Sequence, residues 1–380
     1  MDFCCLDEYL DSLLEYGFPM YDCTVHVGYR EVYRRQGGCI DRESGKRHLP
    51  DTRYFLYSAS KPVTCAAALT LLERGKFSLS DPLEAYLPEF SAVTVAEKRP
   101  DGSVSLRAPA RKITIRHLFT MTAGLNYNLG APPIREAVAA TGGRAPTREI
   151  ARAIAREPLS FDPGTRWQYS LCHDVLAALT EAVSGMRFSD YVRRAVFEPL
   201  GMEHSTFRFT DALLPAMAAQ YRYNDKLHTA ERVTLRNGYI LGPEYESGGA
   251  GMISTAEDYI RFADAMANGG VGASGARILA APTVELMRQN ALTPAQAESF
   301  NWIQCAGYGY GLGVRTLVDR SAAGSTGPAG EFGWGGAAGA LTFFSPETRT
   351  AVYYAQHTLS PNEEKVLPQL RNVIFACLAR

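Results

Sequence analysis

Strand-type and helix-type periodicity are segregated along this chain, and that segregation limits its possible folds more than any other feature of its 380 residues. Residues 21–27 and 31–35, joined through Gly28, alternate as a β-hairpin does. Residues 312–317, 340–344 and 350–355 alternate or run apolar, with Ser345-Pro346-Glu347-Thr348 as a turn between the last two. Between these ends, from Thr114 to about Asn268, the signals are mostly helical, with caps such as Thr114 and Thr147 and stops such as Gly185 and Gly269-Gly270. A short amphipathic helix carrying Leu6, Leu10 and Leu13 opens the chain, and a helix from about Asn362 to Leu378 ends it. The pattern predicts an α+β fold. Its antiparallel sheet comes from 1–75 and 300–380, flanked by helices, with a mainly helical region, 76–299, inserted into one unit, 1–380. Residues 94–109 read as the most flexible stretch.

The run Phe55-Leu56-Tyr57-Ser58-Ala59-Ser60-Lys61-Pro62 carries the strongest chemical signal. A serine hydroxyl is a poor nucleophile until a base stands beside it, and Ser-x-x-Lys on a helix brings an amine to it because residues three apart share a face. Of seven lysines, only Lys61 has a serine three positions earlier. Pro62 suits only a first turn, so Ser58 belongs at or next to a helix N-terminus, where free N–H groups can face a developing oxyanion. The helix behind it, through Val63, Ala66, Leu69 and Leu72 to Gly75, is apolar enough to be buried. The same residues also suit a serine N-cap followed by a solvated lysine.

Composition excludes several function classes. A net charge of −1 with scattered arginines gives no reason to expect nucleic acid or an anionic membrane as partner. No apolar run approaches the ~20 residues that span a bilayer. The acidic N-terminus lacks the basic and apolar regions of a secretory signal, and eight cysteines are spread without a Cys-x-x-Cys pair, so a cytoplasmic protein with reduced thiols is expected. His117, His204 and His357 lack metal-ligand spacing. The run from Gly307 to Gly313 lacks the helix a dinucleotide loop requires, and no Gly-x-Ser-x-Gly, His-Glu-x-x-His or Walker loop is present.

Two further segments complete a constellation. In Phe161-Asp162-Pro163-Gly164-Thr165-Arg166-Trp167-Gln168-Tyr169-Ser170, a Pro-Gly turn leads to Tyr169 just before a helix. Such a tyrosine carries protons if a nearby ammonium favours its phenolate, or simply packs in the core. His173-Asp174 reads as the cap of the following helix. The segment Gly330 to Gly339, containing Trp334-Gly335-Gly336-Ala337, has a glycine density that marks bends or close approach in a strand. Tyr54, Tyr57, Tyr127, Tyr308 and Tyr310 suit an aromatic pocket or core packing equally.

Together with 71–90, 115–125, Glu198-Pro199-Leu200-Gly201-Met202 and 248–255, these residues resemble the β-lactamase-like serine hydrolases: class C β-lactamases, penicillin-binding proteins, D-amino-acid peptidases and family VIII carboxylesterases. The resemblance implies that Ser58 attacks an acyl carbon, Lys61 helps deprotonate it, and Tyr169 shuttles the proton to the leaving group. It implies an oxyanion hole made by the N–H groups of Ser58 and Ala337, a substrate-binding strand at Trp334, Gly335 and Gly336, and no metal or organic cofactor. Whether Lys61 or Tyr169 is the base stays open. Two departures bear on substrate. Tyr-x-Asn becomes Tyr169-Ser170-Leu171, and Lys-Thr-Gly becomes Trp334-Gly335-Gly336, losing a cation where an anionic substrate group would lie. A charge-assisted contact is worth ~1.5 to 3 kcal/mol, so the expectation is hydrolysis of small to medium acyl esters, the partner being a small-molecule acyl substrate. β-Lactamase or D-amino-acid peptidase activity, acyl transfer, and a catalytically silent binding protein are the alternatives.

Overall fold

The computed structural model describes residues 1–300 and 305–379. Seven strands form its main sheet: β1 (Met20–Val27), β2 (Arg30–Gly38), β3 (Tyr308–Tyr310), β4 (Arg315–Leu317), β5 (Phe332–Gly336), β6 (Ala340–Ser345) and β7 (Thr350–Ala355). Their order is β2-β1-β7-β6-β5-β4-β3, antiparallel throughout. The N-terminal hairpin closes on the C-terminal strands, with Asp22 opposite Ala355 and Val27 opposite Thr350. The fold is therefore α+β, with a sheet made from both ends of the chain.

Both faces of the sheet are covered, which is why β6 and β7 are buried along their whole length. Successive side chains point to opposite faces. Leu341, Phe343, Val352 and Tyr354 face one way, against Leu6 and Leu10 of α1 (Cys4–Glu15) and against Leu370 and Ile374 of a C-terminal helix, Glu363–Leu378. Phe344, Ala351 and Tyr353 face the larger core, which contains α2 (Lys61–Glu73), α3 (Cys172–Ser184) and α4 (Ala256–Ala267). The C-terminal helix is α5. Every residue of α2 from Lys61 to Leu71 is buried, so this helix runs through the middle of the molecule.

Several sequence expectations need correction. Residues 94–109 contain a hairpin, Val95–Lys98 with Val104–Arg107, tied down by Arg107 to Asp162 at 2.6 Å. The stretch 312–317 is not one strand, because the chain turns at Gly311-Leu312-Gly313 between β3 and β4. His173 and Asp174 do not cap α3. Leu171 holds the N-cap position, and both residues point into the core. Among the described residues, no helix is long and apolar enough to cross a membrane.

Candidate active site

Ser58 lies in a one-turn 3-10 helix, Tyr57–Ser60, that leads directly into α2, with Pro62 in the first turn of α2 as its missing N–H requires. The approach to this turn is fixed from two sides. Tyr54 and Phe55 pair with Ser254 and Ile253, and the Leu56 N–H donates to Met252 O at 3.0 Å. On the other side, a Cβ on Gly336 would lie 2.1 Å from Leu56 O, so β5 reaches this backbone only because position 336 has no side chain. Tyr57 takes φ +49°, a left-handed conformation that costs a non-glycine residue ~1 to 3 kcal/mol and that here sits directly before the serine.

Lys61 follows one turn later. Its Nζ is 3.2 Å from Ser58 Oγ and donates to Gly249 O at 2.7 Å. The side chain is fully buried. Burial lowers the amine from 10.5 to about 7, and the Asp174 carboxylate opposes that fall. The Tyr169 hydroxyl donates to Ser58 Oγ at 2.5 Å. The Tyr169 ring is held between Tyr127 (centroids 5.2 Å apart, 2° between planes) and Trp334 (5.8 Å, 12°). Burial raises its phenol, against hydrogen bonding with Ser58 and Trp334 that lowers it. Burial thus acts against the ammonium-favoured phenolate considered from sequence, lowering the lysine and raising the tyrosine.

These groups open onto a common cleft. Ser58, Tyr169, Trp334, Gly335, Gly336 and Ala337 all line it, and Lys61 lies beneath, touching Ser58. The structure thus brings together Ser58, Lys61, Tyr169, Trp334, Gly335, Gly336 and Ala337. Of the five tyrosines, Tyr127 stacks on Tyr169, Tyr310 meets Trp334 edge-on at 5.4 Å, and Tyr57 packs edge-on against Tyr239, which lines the cleft. Tyr54 is away from it, donating to buried Asp22 at 3.0 Å. Tyr308 lies over the Arg315 guanidinium at 5.0 Å.

The structure adds residues that sequence reasoning passed over. Arg315 of β4 and Glu363 and Leu367 of α5 line the cleft, so it retains a guanidinium although Trp334 replaces a lysine. Asp174 and the Gly249 carbonyl surround the amine of Lys61. Only Gly249 lay within a stretch that carried a family signal, 248–255.

The sequence matches the Beta-lactamase family over residues 6–373. The chain belongs to the beta-lactamase family. Within this family it is 33% identical to esterase EstB of Burkholderia gladioli over 328 residues, 81% of this chain and 78% of that protein. It is 30% identical to lovastatin esterase of Penicillium rubens over 287 residues, 73% of this chain and 70% of the relative. Its fold matches that of EstCE1, a hydrolase with promiscuous acyltransferase activity, with a TM-score of 0.78 at 26% identity over 97% of each chain. The match to EstCE1 covers the sheet and the helical insertion on which the Ser58 cleft is built.

Proposed function

We propose that this protein is a serine hydrolase that cleaves small to medium acyl esters through an acyl-Ser58 intermediate. The observation that carries this reading is the convergence of the Lys61 amine and the Tyr169 hydroxyl on one oxygen, Ser58 Oγ, at 3.2 and 2.5 Å. Near pH 7 a lysine brought down to about 7 is about half in the free-amine form, with a lone pair, so Ser58 donates its proton to Nζ as Oγ attacks the acyl carbon. Tyr169, kept protonated by burial, donates to the departing alkoxide, and the proton held on Lys61 restores the phenol. The alcohol leaves with one proton, and water then adds to the acyl carbon to release the acid and regenerate the serine.

The N–H groups of Ser58 and Ala337 serve as the oxyanion hole. Ser58 stands in the first turn of a helical run, where N–H groups lack intrahelical acceptors, and Ala337 follows the end of β5 on the cleft wall. The ester preference rests on Trp334, on the apolar wall it forms with Leu367, and on likeness to the two esterases. Likeness to EstCE1 supports a second outcome, in which an alcohol takes the acyl group in place of water. The eight cysteines are free, which supports a reducing compartment, the cytoplasm.

The test is hydrolysis of p-nitrophenyl acetate and butyrate beside nitrocefin, with Ser58→Ala as control. Ester turnover should exceed nitrocefin turnover, and Ser58→Ala should lose at least ~10³-fold. Faster nitrocefin turnover overturns the ester preference, and unchanged activity in Ser58→Ala removes the acyl-serine. Adding methanol and measuring methyl ester among the products separates transfer from hydrolysis.

A further inference from the structure

The amine of Lys61 has a second neighbour that its hydrogen bonds do not reveal. Asp174, in the first turn of α3, is 2% exposed. Its Oδ1 accepts two hydrogen bonds of 2.6 Å, from the Tyr245 hydroxyl and from Ser247 Oγ. Its Oδ2 is buried with no hydrogen-bond partner. A carboxylate oxygen left in that state is costly unless a positive charge compensates it. A Cβ on Gly249 would stand 2.6 Å from Asp174 Oδ2 and 3.5 Å from Lys61 Nζ, so the free oxygen and the amine border the same small space beside Gly249. Gly249 O accepts from Nζ at 2.7 Å, so the same residue both binds the amine and leaves room for the carboxylate beside it.

The other titratable groups about Lys61 do not supply a countercharge for its ammonium. Burial holds the thiols of Cys65 and Cys172 and the phenols of Tyr127 and Tyr169 above their ordinary values, and His173 falls to about 3. Asp174 is the carboxylate whose charge supports the Lys61 amine against burial.

We propose that Asp174 is a positioning residue for acyl transfer to Ser58, a buried countercharge that stabilises the ammonium formed on Lys61 when it takes the serine proton. This rests on the acyl-serine reading above and names the group that makes it work. Nearby, the Tyr-x-Asn motif has Leu171 in place of its amide. The Gly249 carbonyl takes the lysine's hydrogen bond, and Asp174 supplies the field. The proton balance is unchanged, because Asp174 neither gives nor receives one.

The experiment is the pH profile of kcat/KM for p-nitrophenyl butyrate in the wild type, Asp174→Asn and Ser58→Ala. Asparagine keeps the shape and can accept from Tyr245 and Ser247, so the variant removes the charge alone. A unit charge a few ångströms away, at an effective dielectric of about 20, shifts a neighbour by on the order of two to three pH units. The alkaline-rising limb of Asp174→Asn should therefore move that far toward acid, and its plateau should fall roughly ten- to hundredfold because a less basic amine accepts the serine proton less readily. KM should change little, since Asp174 does not line the cleft. A role confined to packing would lower melting temperature and yield and leave the midpoint in place.

Tyr245→Phe is the second variant and acts in the opposite sense. It keeps the carboxylate but removes a donor that partly neutralises it, so the midpoint should move toward alkali by a fraction of a unit. An unmoved midpoint in whichever variant folds overturns the role of Asp174 while wild-type hydrolysis, lost in Ser58→Ala, leaves the acyl-serine standing. Absence of wild-type hydrolysis overturns both.

Discussion

Lys61 is where stability and chemistry pull against each other. A lysine lowered from 10.5 to about 7 by burial is charged in the unfolded chain and neutral in the folded one between those two pH values. Unfolding there takes up a proton, so this group makes the protein more stable as pH rises from about 7 toward 10.5 and contributes no slope below 7. Activity follows the same titration, because only the free amine accepts the serine proton. The expected kcat/KM for a neutral ester therefore rises through an apparent midpoint near 7. Urea unfolding at several pH values checks the stability half: relative to Lys61→Met, the wild type should gain stability between pH 7 and 10 and run parallel below 7. A difference that stays constant across that range would mean the amine keeps its ordinary basicity. Tyr169→Phe belongs to the same scale. It removes one hydroxyl while leaving the ring between Tyr127 and Trp334, so folding should be intact and acylation roughly 10² to 10⁴-fold slower, as seen in the burst phase.

At the scale of elements, the site is a contact between a strand and a helical turn. β5 meets the backbone before Ser58 at Gly336, where a Cβ would fall 2.1 Å from Leu56 O. Gly336→Ala should force the two apart, costing about 1 to 3 kcal/mol as overpacking does and losing more activity than stability, because the Ala337 N–H and Ser58 separate. Equal activity with lowered stability would show that the oxyanion donors lie elsewhere. The same contact explains what sequence could and could not convey. Ser58 and Lys61 were legible because their geometry is local, three residues apart in one helical run. Trp334 to Ala337 and Tyr169 were legible as motifs. Asp174, Arg315 and Glu363 were not, because each reaches the site only through tertiary packing, and an acid three residues into a helix looks like a dipole partner. The split of 312–317 was hidden for a related reason. Gly313, with φ +85° and a Cβ position 2.2 Å from Cys65 Sγ, turns the chain against α2, a contact that periodicity does not register.

For the molecule as a whole, the cleft stands at the junction of the two cores. Lys61 opens α2, which lies in the larger one, and Ser58 stands in the turn just before it. Leu367 lines the cleft and at the same time belongs to the smaller core, where α5 packs with α1 under the sheet. The two ends of the chain thus support one wall of the cleft, while the nucleophile stands beside the other core. Leu370, one turn along α5 and fully buried in the smaller core, separates these contributions. Leu370→Ala should leave a cavity costing ~2 to 5 kcal/mol. If the sheet couples the two cores into one cooperative unit, loss of esterase activity and loss of tryptophan fluorescence should shift down in temperature together, with kcat unchanged well below the transition. The alternative outcome has its own signature. Activity failing several degrees before fluorescence would show that α5 loosens first and that the cleft wall, rather than the nucleophile, sets the thermal limit.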